Sequence, residues 1–212
     1  MIKHIIFDFD GVILDSVRVK TNAFFEMYNK YGTVIAHKVV DYHLKNGGES
    51  RFKKFRHFEE NILNKKINDD DINILANEFK ALVMEKVINC NFIDGAYEFL
   101  EKNFQNYTFY ISTGTPKEKI EEILFKKNLG KFFKEVFGSP MLKVEHVEKI
   151  IGHRNLNRNE VIFIGDSKND YEAANMTKIK FLGIGSNEFF KKNKIFYIHN
   201  LIHLENYLLK IS

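Results

Sequence analysis

Cysteine occurs once in the chain, at Cys90. No disulfide can form within the chain, which fits a reducing compartment. No histidine or other base sits beside Cys90 in sequence, so the thiol reads as a small apolar filler and not as a nucleophile. Tryptophan is absent and proline occurs twice, whereas phenylalanine occurs 21 times. Such a bias can belong to a whole genome, and no function is read from it. No apolar run approaches the ~20 residues that span a bilayer. Residues 1–4 lead straight into an apolar strand, without the charged and apolar regions of a signal peptide. The expectation is a cytoplasmic protein that does not enter a membrane. Long blocks of one charge are also missing. Lysine pairs such as Lys53-Lys54 and Lys191-Lys192 are dispersed and read as solvated faces. The net charge of +4 favours small anions, and no motif points to nucleic acid.

What is present is an ordinary globular composition, 44% hydrophobic and 28% charged over 212 residues. That length accommodates one medium domain, or a core with a small insert. Short apolar, β-branched runs are expected as strands at 2–8, 107–112, 135–137, 160–165, 179–183 and 195–198. Helical stretches alternate with them at 94–103, 116–128, 143–154, 168–176 and 200–210. Pro116 suits a first helical turn, with Thr115 as its cap. This alternation predicts an α/β fold with a mostly parallel sheet. Residues 16–90 break the rhythm and read as helices at 17–31, 36–45, 50–65 and 69–89, the last opened by Asn68 and three aspartates. The expected division is a core of residues 1–15 and 92–212 and an all-helical insert of residues 16–91.

Four motifs fall at strand ends, where parallel α/β sheets bind ligands. In Asp8-Phe9-Asp10-Gly11 the two aspartates share one side of an extended chain. Their repulsion calls for a cation, and a hard one with oxygen ligands such as Mg²⁺ is the natural choice. One carboxylate can attack phosphorus while the other serves as acid and base. In Ser112-Thr113-Gly114-Thr115 a hydroxyl and backbone N–H groups ahead of a helix make an anion site. Lys143 can offset negative charge. In Gly165-Asp166-Ser167-Lys168-Asn169-Asp170 two aspartates four residues apart can reach a cation above the first motif. Each piece alone has an ordinary reading: an acidic turn, a Ser/Thr cap, a solvated lysine, a capped helix start.

Taken in order and spacing, the four motifs resemble those of the haloacid dehalogenase superfamily of aspartyl-nucleophile hydrolases. The resemblance covers the α/β part of the chain. It implies a Rossmann-like core with a mobile helical cap inserted after the first motif. It further implies that Asp8 is the nucleophile and Asp10 the general acid/base. Ser112, Thr113 and Lys143 correspond to the phosphate-binding group, and Asp8, Asp10 (through its carbonyl), Asp166 and Asp170 to the Mg²⁺ site. The true dehalogenases lack an aspartate at the position of Asp10, because a departing halide needs no proton. Asp10 therefore argues for phosphate esters.

The insert holds Gly47-Gly48-Glu49-Ser50-Arg51, which resembles the specificity loop of phosphoglycolate-phosphatase-like and β-phosphoglucomutase-like members. Ser50 can cap the following helix. A cation in a first helical turn is disfavoured by the dipole, so Arg51 is a candidate for a carboxylate or a second phosphate. Lys54 and Arg56 are weaker candidates. His43 and His57, near this loop, are candidates for substrate contacts, with exposed polar residues as the favoured reading. Asp15-Ser16 and the residues before Asp94 are the expected hinges. β-Phosphoglucomutase-like enzymes carry a histidine where Lys20 stands, which favours hydrolysis over a mutase. The expected partner is a small phosphorylated metabolite, phosphoglycolate-like or a sugar phosphate. The alternatives are a phosphomutase or a non-catalytic binding protein on the same fold. A monomer or weak homodimer is expected.

Overall fold

The computed structural model describes residues 1–211. Six strands form one sheet: β1 (His4–Phe7), β2 (Thr108–Pro116), β3 (Phe133–Ser139), β4 (Val161–Gly165), β5 (Lys180–Ile184) and β6 (Tyr197–Ile198). Their spatial order is β3-β2-β1-β4-β5-β6, and every pairing is parallel. This is the Rossmann-type order, with its switch point between β1 and β4. Both faces of the sheet are covered, which explains strands that read as unbroken apolar runs. Ile5, Phe7, Phe109 and Ile111 pack on one face, and Ile6, Tyr110 and Phe163 on the other.

The helices are α1 (Val17–Asn29), α2 (Thr33–Lys45), α3 (Arg51–His57), α4 (Asp69–Ile88), α5 (Ala96–Asn103), α6 (Lys117–Lys126), α7 (Lys143–Arg154), α8 (Lys168–Met176), α9 (Glu188–Lys192) and α10 (Leu204–Lys210). The first four lie between β1 and β2 in the chain. Phenylalanine fills their interior. Phe24 stacks on Phe79 with centroids 4.3 Å apart and meets Phe58 edge-on at 5.5 Å. Such pairs contribute about 0.5–1.5 kcal/mol each beyond area burial. α4 starts in a capping box between Asn68 and Asp71, with Asp69–Asp71 against the positive end of the helix. Its other end is held from outside the insertion, where Lys127 Nζ donates to the carbonyls of Ile88 and Cys90 at 2.8 and 3.0 Å.

The two chain crossings into the helical insertion run side by side. Leu14 bridges Phe92, Ile93 N–H donates to Ile13 O at 3.0 Å, and Asp15 N–H to Asn91 O at 3.0 Å. Cys90 is half-buried beside them, its thiol on Lys86 O.

Several element limits differ from those read in the sequence. β2 continues to Pro116, past a register shift against β3, so α6 begins at Lys117 and Thr115 does not cap it. The helix expected over 50–65 stops at His57 and passes into one π turn, Phe58–Ile62, ended by Asn64 at φ 53°. Phe55 and Phe58, three residues apart where α3 meets this turn, are both in the buried aromatic cluster. α9, anchored by the Asn187 side chain on Phe189 N–H, had no counterpart in the reading. Among the described residues no helix is long and apolar enough to cross a membrane.

Candidate active site

The carboxyl ends of β1 and β4 bring together Asp8, Asp166 and Asp170. Each offers one carboxylate oxygen, and the three lie within 4.8 Å of one another. Asp8 follows β1 directly and is buried, as is Asp170 in the first turn of α8. Asp170 also closes a capping box, its Oδ2 accepting from Ser167 N–H at 3.0 Å and Ser167 Oγ at 2.6 Å. Gly11, at φ +83°, passes so close to Asp166 that a Cβ there would collide with the carboxylate.

One cation sits among these acids. Lys143, the first residue of α7, places Nζ 3.0 Å from Asp8 Oδ2 and 2.5 Å from Asp170 Oδ1. Burial works against its charge, but Asp170 and Asp8 outweigh that and raise its pKa. One ammonium does not balance three carboxylates. Burial, with the neighbouring Asp170 and Asp10 charges, holds Asp8 up at about 7 against the pull of Lys143. Asp166 is raised well above the usual range by burial, Asp8 and Asp170. A compact set of hard oxygen donors with surplus negative charge fits a divalent cation.

Asp10 stands apart from this cluster. Its Oδ1 accepts from Ser16 Oγ at 2.5 Å, and its Oδ2 accepts from Lys20 Nζ at 2.5 Å and Thr115 Oγ1 at 3.0 Å. Burial alone would raise its pKa; Lys20, Ser16 and Thr115 together reverse this and hold it below the usual value. Lys20 also reaches Thr115 Oγ1 at 2.9 Å, so α1 is tied to the end of β2.

These groups face a cavity of about 100 Å³ between the sheet and the helical insertion. Asp8, Asp10, Asp166 and Thr113 line one side, and Lys20, His43, Arg51 and Lys54 the other. The loop before α3 closes over it. Asn169 Nδ2 donates to Gly47 O at 2.8 Å, and Gly48 O lies where a Cβ on Gly114 would stand. Arg51 is buried, as is Lys54, and Arg51 lies over the Phe79 ring at 5.1 Å. Arg56 points away, paired with Glu60 and Asp69.

Two expectations from the sequence change. Ser112 does not line the cavity. It is fully buried, and its hydroxyl lies 2.8 Å from His146 Nδ1 on α7. It is Thr113 that reaches the cavity wall. The histidines are not both exposed either: His43 is buried, and His57 stacks on Tyr42 at 3.7 Å. Sequence reasoning missed His146 altogether, and missed the contacts of Thr115 with Asp10 and of His43 with Lys54. Their partners are 34, 105 and 11 residues away, and no local pattern signals them.

His146 gives this region a pH signature. Burial, then Lys143, lowers its pKa from 6.5 to about 4. Between those values the unfolded chain binds a proton that the folded chain does not. Its contribution is therefore present above 6.5 and lost as pH falls towards 4, at up to about 1.4 kcal/mol per pH unit. Urea unfolding of the wild type should weaken more steeply over that window than unfolding of His146→Gln. Parallel pH profiles would contradict the assignment.

A family model described as haloacid dehalogenase-like hydrolase matches residues 5–184. No curated protein matches the chain. Solved structures with this fold include a predicted phosphoglycolate phosphatase from Haemophilus somnus, at 17% identity over 98% of each chain and a TM-score of 0.77. A β-phosphoglucomutase from Clostridium difficile shares 20% identity over all of this chain and 97% of its own, with a TM-score of 0.78. The hydrolase YfnB from Bacillus subtilis, bound to magnesium, shares 18% identity over 98% of each chain, with a TM-score of 0.71.

Proposed function

The chain belongs to the haloacid dehalogenase-like hydrolases, and we propose that it is a magnesium-dependent phosphatase acting on a small anionic phosphomonoester through an aspartyl phosphate at Asp8. The observation that carries this reading is the pairing of a three-aspartate cluster with Lys143 beside a fourth aspartate, Asp10, held separately by Lys20.

In this reading Asp8 Oδ attacks phosphorus in line, and the bond from phosphorus to the leaving oxygen breaks. Asp8, Asp166 and Asp170 would hold Mg²⁺, together with the Asp10 carbonyl. Bound there, the metal supplies charge neutralisation at the carboxylates and the phosphoryl oxygens. Lys143 and the Thr113 region take the remaining phosphoryl charge. The proton for the leaving oxygen comes from the Lys20–Asp10 pair, whose heavy atoms are 2.5 Å apart. The pair, one proton short, then recovers it through the Asp10 carboxylate from the water that attacks phosphorus and frees Asp8. Asp10 is what separates this reading from dehalogenation, which needs no proton donor. The helical insertion acts as a cap that excludes bulk water, with Arg51 and Lys54 on its inner wall setting specificity.

Phosphate release from a panel of small phosphomonoesters tests the proposal. Release that requires Mg²⁺ and stops with EDTA is expected. Release equal with and without metal would contradict it.

A further inference from the structure

The loop that closes over the cavity also walls it off from a second, larger space. Outside the loop, between α3, α7 and α8, runs a groove of about 360 Å³, against about 100 Å³ for the cavity. Gly48, Glu49, Thr113 and Gly114 line both. The two spaces are therefore parted by the Gly47-Gly48 turn where it meets Gly114. Much of the groove is apolar, from Phe52, Pro140, Met141, Leu142 and Met176. Leu142 and Met176 are exposed there. Flexible apolar walls of this kind take apolar groups of many shapes.

Little holds the partition in place. The bond from Asn169 Nδ2 to Gly47 O, at 2.8 Å, is the one hydrogen bond from residues 46–50 to the core among the described residues. The loop's other bonds stay within the insertion, as from Glu49 N–H to Asn46 O and from Tyr42 Oη to Glu49. Close fit does the rest. A Cβ on Gly47 would stand 2.9 Å from Ser167 Cβ. A Cβ on Gly114 would collide with Gly48 O, and its nearest neighbours all belong to the loop. Gly114 has no positive φ, so its missing side chain serves the seat of the loop and not a backbone turn. Asn169 itself is firmly based, in the helical turn that the Ser167–Asp170 capping box opens.

We infer that Asn169 is a positioning residue that holds the Gly47-Gly48 turn as the cavity wall, and thereby limits the length of the ester turned over. This rests on the phosphatase reading above. With the bond in place, the leaving group is confined to the cavity. Without it the turn lifts from Gly114, the cavity opens into the groove, and a longer apolar leaving group has somewhere to lie. Asn169 acts through the loop and not on the reacting atoms.

The test compares ethyl phosphate with n-hexyl phosphate, which share the phosphate and the kind of alkoxide released and differ in length. The variants are Asn169→Leu, which keeps the volume without the donor, Asn169→Gln, which keeps an N–H donor, and Gly114→Ala, which removes the seat of Gly48 O. The first readout is the ratio of kcat/KM, hexyl over ethyl. The second, independent of turnover, is amide hydrogen exchange in the peptide spanning residues 44–52. Wild-type turnover of either ester upholds the phosphatase reading by itself, and turnover of neither overturns both readings. The wild type should prefer the ethyl ester. Asn169→Leu should raise the ratio about threefold to tenfold, the fold-change of one net hydrogen bond. The rise should come from a gain on hexyl phosphate, which a merely destabilised protein would not show. Exchange should quicken over residues 44–52 and not in β1 or β4. Gln should recover part of the wild-type ratio, and Gly114→Ala should raise the ratio at least as far as Leu. A wild type that prefers the hexyl ester, a ratio that does not rise in Asn169→Leu, or unchanged exchange over residues 44–52 would overturn the inference. Where Asn169→Leu does not fold, Gly114→Ala decides the matter by the same two readouts.

Discussion

Asp8→Asn should abolish phosphate release, with a fall of about four orders of magnitude or more, while the protein stays folded. The loss follows from the proposed chemistry: an amide does not attack phosphorus, and no other carboxylate takes the same place. Asp166 and Asp170 stand past the end of a different strand, β4, and Asp170 is already committed to Lys143 and Ser167. Removal of a nucleophile that works as one unit with its neighbours leaves only residual binding catalysis. Stability goes the other way. Asp8 is buried, and its carboxyl is held up at about 7 by burial and by Asp170 and Asp10. An isosteric neutral side chain removes one negative charge from a crowded site and leaves Lys143 its contact with Asp170. In metal-free buffer at neutral pH the variant should melt no lower than the wild type. A variant that retains phosphate release, or one that melts far below the wild type, would mean that Asp8 is structural and not reactive.

Lys143→Met carries the second large effect, on the fold as much as on activity. Its ammonium is buried against Asp8 and Asp170 and is the one cation within ion-pair distance of the three-aspartate cluster among the described residues. Removing one partner from a buried charge cluster typically costs about 3–5 kcal/mol. The sign of the pH dependence follows. Without Lys143 the Asp8 and Asp166 carboxyls, already raised, lose the charge that pulls them down, so folding binds protons. The deficit should be largest near neutral pH and shrink as pH falls towards 5. Urea denaturation of metal-free protein at several pH values measures this. A deficit that does not change with pH would show that Lys143 acts through packing and not through charge.

Much of the fold, and the convergence of the strand-end aspartates, were legible in the sequence. Strands buried on both faces announce themselves as short apolar runs, and the aspartates that matter most lie at their ends, where chain direction alone fixes their neighbourhood. That holds for Asp8 and Asp166. Ser112 shows the limit. In a strand each residue turns to the opposite face from the last, and β2 continues through Thr115 instead of ending at Ser112. Ser112 therefore falls on the α7 side, against His146, and Thr113 lines the cavity in its place. Lys20 was read only by its position in a resemblance, whereas its contact with Asp10 and Thr115 depends on how α1 leaves the sheet. His43 and Lys54 belong to separate helices whose packing is set by the Phe24, Phe55 and Phe79 cluster, and no pattern in the sequence pairs them. The short α9 was missed because five residues give too little periodicity to read.

The central claim is that phosphorus is bonded for a time to Asp8. The most direct measurement is a rapid acid quench of the protein turning over a phosphomonoester in Mg²⁺, followed by peptide mass spectrometry. The account predicts one added phosphoryl group on the peptide containing Asp8, absent from Asp8→Asn and lost on treatment with hydroxylamine. A phosphoryl group found on another residue, or steady turnover in Asp8→Asn, would contradict it.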